Sequence, residues 1–139
     1  MKYFLIGIFI FLFAAHIFAI LTSAYWSIWW YDNLLHLIGG IAVGMFAIWF
    51  IYDLNKIKSP DWSFFFMTVV IISFTSLIGV FWEFFEYFFD KIIAPQSEEI
   101  ELAQLGLADT LSDLFFDLFG GLLSTIIFRN KIYEHTRKN

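Results

Sequence analysis

The 139-residue chain has no cysteine, two prolines and few charges: Asp, Glu, Lys and Arg together make up 15% of it. Without cysteine there is no disulfide framework, no thiolate metal site and no thiol nucleophile. With prolines only at positions 60 and 95, long stretches carry no helix breaker. Eight basic residues form no stripe that could track a phosphodiester backbone, which argues against nucleic acid as a partner. The net charge of −5 comes mainly from an acidic loop around Glu98, Glu99 and Glu101 and from carboxylates inside apolar segments, so it does not mark a soluble partner.

What the chain has in quantity is apolar surface. Hydrophobic residues make up 60% of it, phenylalanine alone accounts for 20 positions, and the mean hydropathy is +0.76. That leaves too little polar surface to cover a soluble globule. Four apolar runs, at about 3–22, 34–52, 64–89 and 111–128, reach the roughly 20 residues a helix needs to cross a hydrocarbon core. They are too long, and alternate too little, for barrel strands of about 10 residues. The expected fold is all-α: a polytopic membrane protein with a four-helix transmembrane bundle, residues 1–139 forming one domain in the cell membrane.

The connections carry the markers of a membrane interface. Tyr25, Trp26, Trp29, Trp30 and Tyr31 fill the first with aromatics suited to headgroup level. Lys56, Lys58 and Pro60 mark the second; the third, Asp90 to Ala108, has room for one short interfacial helix. Seven of the eight basic residues flank the amino terminus, the second connection and the carboxyl terminus, and only Lys91 flanks the other side. Both termini are therefore expected in the cytoplasm. Lys2 followed by an apolar run resembles a signal peptide, and Thr22-Ser23-Ala24 is weakly cleavage-like. The run exceeds the about 7–15 residues of a signal core, so an uncleaved first helix is expected.

That topology places His16, Asp32, His36, Glu83, Glu86, Asp109, Asp113 and Asp117 at one level, in the outer leaflet. Asp32 and His36 are spaced i, i+4; Glu83, Glu86 and Asp90 are spaced i, i+3, i+7; Asp109, Asp113 and Asp117 are spaced i, i+4, i+8. Each set shares one helix face, and acidic faces turn toward the bundle interior because the alternative is lipid. Asp32 and Asp109 fall where helices two and four begin, so they can serve as simple N-caps. Glu83 and Glu86 instead sit near the carboxyl end of helix three, where the helix dipole opposes negative charge, and Asp117 lies too deep to cap anything.

No Lys or Arg lies inside the runs to balance these groups. Protons, the histidines, Lys91 reaching inward or a bound cation could do so. Oxygen-rich donors with one imidazole favour a divalent metal of the Mg, Mn or Ca type over Zn, with His36, Glu83, Glu86, Asp113 and Asp117 as expected ligands. Glu83 and Glu86 are also candidate general bases toward a metal-bound water. Asp32, Asp109, Trp82 and His16 complete the expected pocket. Gly40 and Gly44, spaced small-xxx-small, read as a site of close helix packing.

Tyr31-Asp32, Leu35-His36, Gly39-Gly40, Trp82-Glu83 with Glu86, and Asp109-Thr110 with Asp113, Asp117 and Gly120-Gly121 follow one another in an order that resembles the YjdF-like small membrane proteins. The pattern is more distantly similar to VanZ-like proteins, some of which are associated with teicoplanin resistance. The resemblance covers about Tyr31 to Ser124. Asn33, Glu86 and Asp117 depart from the Lys, Gln and Asn common in VanZ-like chains, and an Arg usual before the last helix is missing. The YjdF-like resemblance implies a membrane location and leaves the activity open.

Three functions are consistent with the residues. The first is an outward-facing acidic and histidine pocket that binds a divalent cation and, through it, a polar lipid or envelope-precursor headgroup, with metal-dependent hydrolysis or transfer as an extension. The second is a component of proton or cation transport, against which stands the lack of titratable groups in the inner half. The third is a structural or accessory subunit whose carboxyls form a neutral hydrogen-bonded network, with a homo-oligomer or another membrane protein as partner.

Overall fold

The computed structural model describes residues 1–54, 62–96, 102–104 and 106–137, with side chains described up to residue 133. Regular structure among them is entirely helical. In chain order the elements are α1 (Lys2–Thr22), α2 (Ala24–Ser27), α3 (Tyr31–Trp49) running into a π-turn (Phe50–Leu54), α4 (Phe64–Ile92) followed by a 3-10 turn (Ala94–Gln96), α5 (Leu107–Ile127) and α6 (Arg129–Arg137). Four of these, α1, α3 with its π-turn, α4 with its 3-10 turn, and α5, are long and apolar enough to cross a membrane.

The bounds differ from the hydropathy reading where polar residues begin a helix. α3 starts at Tyr31, not 34, and α5 at Leu107, not 111. The polar pairs Asp32-Asn33 and Asp109-Thr110 look like loop but form first turns, where amide groups lack intrahelical partners and favour negative charge. The N-cap reading of the two acids is corrected: the caps are Trp30 and Gly106, and Asp32 and Asp109 stand inside the first turn. Gly106 has φ +124°, a conformation that a side chain would strain. α4 has a conventional cap, Ser63, whose hydroxyl oxygen accepts the Phe66 N–H at 3.2 Å.

Close approach of α3 and α5 builds the centre of the bundle, and small residues permit it. A Cβ added at Gly40 would overlap the backbone carbonyl of Asp117; one at Gly120 would overlap the backbone of Leu37 and Ile41; one at Gly44 would overlap the Ser124 side chain. α4 closes on the same seam, with Thr75 against Gly121 and Gly79 against the Asp117 carboxylate. At the end of the bundle where the chain begins, Ala47, Ile48, Tyr52, Met67, Ile71 and Ile132 form an apolar core. α6 covers that end: Ile132 inserts into the core, Arg129 lies over the rings of Phe64 and Tyr133, and Lys131 Nζ pairs with Asp53 at 2.6 Å. α1 is peripheral. It packs on α3 and α2 and buries only Leu5 and Ala19.

Candidate metal centre

At the opposite end the antiparallel helices bring the acidic faces together around His36, which lies on α3 one turn below Asp32 and is 6% exposed. Its two ring nitrogens meet different carboxylates. Nδ1 is 3.3 Å from Asp117 Oδ2, whereas Nε2 is 3.7 Å from Asp32 Oδ1 and 3.9 Å from Asp113 Oδ1. Asp113 and Asp117 come from successive turns of α5, so one helix addresses both sides of the ring.

Helix α4 contributes Glu83 and Glu86, each 5% exposed. Glu86 Oε1 accepts the Trp82 indole N–H at 2.8 Å, a bond between residues one turn apart. Glu83 Oε2 accepts from the Gln104 amide at 2.9 Å. Gln104 also donates to Thr110 Oγ1 at 3.1 Å and is itself fixed from below, because Asp90 accepts the backbone N–H groups of Ala103 and Gln104 at 2.6 and 2.9 Å. Asp90 thus anchors a strap over the acids and does not join them. Nearby, the Ser112 hydroxyl donates to Asn33 Oδ1 at 2.6 Å and ties the starts of α5 and α3.

Among the described residues, the buried oxygens Glu83 Oε1 and Asp113 Oδ1 lack a hydrogen-bond partner, and Asp117 Oδ2 has only the His36 Nδ1 contact at 3.3 Å. Asp113 is 1% exposed, so water in bulk does not reach it. An orphaned buried oxygen is costly, and two in one cluster ask for a proton or a cation. The donor atoms are suitably spaced for the latter. Asp32, His36 and Asp113 each offer a ligand atom within 4.8 Å of the others, and so do His36, Glu83 and Glu86. Two oxygens bound to one Ca²⁺ can lie up to about 5.2 Å apart, twice the longest usual bond.

The expected pocket residues therefore divide by position. His36, Glu83, Glu86 and Asp113 converge with Asp32, which the spacing had set among the surrounding residues. Asp117 meets the other face of the imidazole. Asp109 stays in the first turn of α5, half-buried and outside both ligand groups. His16 and Trp82 meet edge to face, with ring centroids 5.5 Å apart, beside the cluster. His16 Nδ1 is also 2.5 Å from the Tyr25 hydroxyl; burial, with the charge of Asp32 nearby, pushes that phenol up. Gln104 is the residue that sequence reasoning missed. A single amide in a loop carries no spacing signal, and only its capacity to donate to a buried acid could have singled it out.

Residues 1–132 match the profile of the family described as "Predicted membrane protein (DUF2238)". This is the family of the YjdF-like proteins, and the match lends nothing to the more distant VanZ-like resemblance. A protein of Thermotoga maritima described as "Uncharacterized protein" is 33% identical over 112 residues, covering 77% of this chain and 52% of the relative. The chain thus spans about half the length of that relative. No solved structure matches.

Proposed function

The chain belongs to the predicted membrane protein family DUF2238, and from that premise we propose that this multi-pass membrane protein holds a divalent cation inside its bundle, near the outer face of the membrane. His36 Nε2, Asp32, Asp113, Glu83 and Glu86 form the pool of ligands. Asp117 serves as the partner of Nδ1: a carboxylate on that nitrogen fixes the tautomer that leaves Nε2 free to ligate. The observation that carries the reading is the pair of orphaned oxygens on Glu83 and Asp113, in a cluster that holds no Lys or Arg among the described residues. The oxygen-rich donor set supports Mg, Mn or Ca over Zn.

Binding is favoured over conduction because the polar layer ends about two turns below His36. There Thr75, Ser124 and Thr125 spend their hydroxyls on carbonyls of their own helices, at 2.9, 2.7 and 2.8 Å, and the apolar core of Ile48, Met67 and Ile71 follows. Among the described residues no chain of titratable groups continues through that core. The outward orientation rests on the basic residues flanking the other end.

Calorimetric titration of chelator-stripped protein in detergent tests the site. Mg²⁺, Mn²⁺ or Ca²⁺ should bind to the native chain, and Glu83→Gln should weaken binding while leaving the helical content intact. Absence of heat with all three, together with unchanged thermal stability, would show a protonated carboxyl network in place of a cation.

A further inference from the structure

A cavity of about 370 Å³ lies beside the cluster, in the size range of small-molecule pockets, and its lining changes character along its length. Phe9 and His16 on α1, Val43 and His36 on α3, and Thr75 and Trp82 on α4 all line it, each pair seven residues apart, or about 10 Å along a helix. Because α1 and α4 run antiparallel to α3, His16, His36 and Trp82 fall at one end of the cavity and Phe9, Val43 and Thr75 at the other. Asp32 and Asp117 also reach it, so the polar end is an edge of the candidate metal centre.

The cavity has a side entrance. α1 packs on α3 and α2 and is not among the helices closely packed on α4, while the His16–Trp82 ring contact bridges α1 and α4 only at the polar end. Below that bridge, the lining residues Phe13 on α1 and Ile78 on α4 are 69% and 38% exposed. An apolar slot that opens sideways into hydrocarbon and ends on a cluster of acids matches a molecule with an alkyl tail and a polar head that a cation can bridge.

Resting on the cation reading above, we propose that the α1–α4 cleft receives one alkyl chain of a phosphate-bearing lipid, entering laterally from the bilayer, with the phosphate at the cation on the His36 cluster. The tail reaches the Val43 level, and the cation neutralises the head against Asp32 and Asp113. Without that cation, the carboxylates of Asp32 and Asp117 at this end would repel a phosphate.

Gly39 provides the test, since it lines the cavity and a Cβ there meets nothing within 4 Å. Gly39→Leu should therefore fill the cleft without disturbing the α3–α5 seam. A lysophosphatidic acid carrying a mid-chain diazirine is photolysed with the protein in nanodiscs containing Ca²⁺ or Mg²⁺, alongside a monoacylglycerol with the same chain. The expected result is phosphate-dependent adducts on the peptides of Phe13, Val43 and Ile78. They should fall roughly tenfold in Gly39→Leu, the equivalent of about 1.4 kcal/mol, while adducts on the lipid-facing Phe115 peptide are unchanged. Gly39→Leu should still bind the cation, which assigns the loss to the cleft. Adducts undiminished in Gly39→Leu overturn the proposal. Cleft adducts from both probes, in a native protein that binds no cation, would keep the alkyl chain in place and remove the cation and the phosphate preference.

Discussion

His36 is the residue on which the chemistry turns, because its two nitrogens face different carboxylates. Asp117→Asn leaves shape but changes what Nδ1 meets; the expected effect is a roughly 10–100-fold loss of cation affinity without loss of fold, the scale on which outer partners of ligating histidines act. Asp113→Asn should remove binding altogether, since a carboxamide keeps the shape of Asp113 but not its charge. Calorimetry on both variants checks the order. If both retain native affinity, the two aspartates are not part of the cation site. Affinity should also rise with pH, because protons compete for the same carboxylates and for His36, and titration at two pH values reads the sign directly. Spacing alone made His36, Glu83, Glu86, Asp113 and Asp117 legible, since i, i+3 and i, i+4 fix a common face. It could not show which nitrogen Asp117 meets or that Asp32 joins the ligand groups, because those facts depend on how α3 and α5 are rotated against one another.

At the scale of the element, the α3–α5 seam sets the distance between His36 and its aspartates. Gly40→Ala would press a methyl group onto the Asp117 backbone carbonyl, which no side-chain rotation relieves. Overpacking of this kind costs about 1–3 kcal/mol, so a lower thermal midpoint and weaker cation binding are expected together. Gly39→Ala, on the neighbouring position, should be neutral in both. A Gly40→Ala protein as stable as the native chain would contradict the packing described. Hydropathy found the four long helices but clipped the polar first turns of α3 and α5. It also passed over α6, where Ile132 is the buried anchor among residues such as Arg129, Asn130 and Lys131. A single apolar anchor in a charged segment gives too weak a period to read as a helix.

Taken as a whole, the molecule is polarised: acids and histidine at one end, basic residues and an apolar core at the other, and a peripheral α1 that leaves a cleft against α4. The orientation proposed from the basic residues has its own test in intact cells. Ser27→Cys, at the exposed last residue of α2, should react with an impermeant thiol reagent, while Ser59→Cys should be protected; the reverse would turn the cluster toward the cytoplasm. The most direct measurement is elemental analysis of the native protein, purified in nanodiscs without chelator, beside Glu83→Gln and Asp113→Asn prepared identically. A near-stoichiometric divalent metal in the native chain, lost from both variants and on mild chelation with a fall in thermal stability, is the expected result. A native protein free of metal, whose stability neither Mg, Mn, Ca nor Zn alters, would contradict the cation centre.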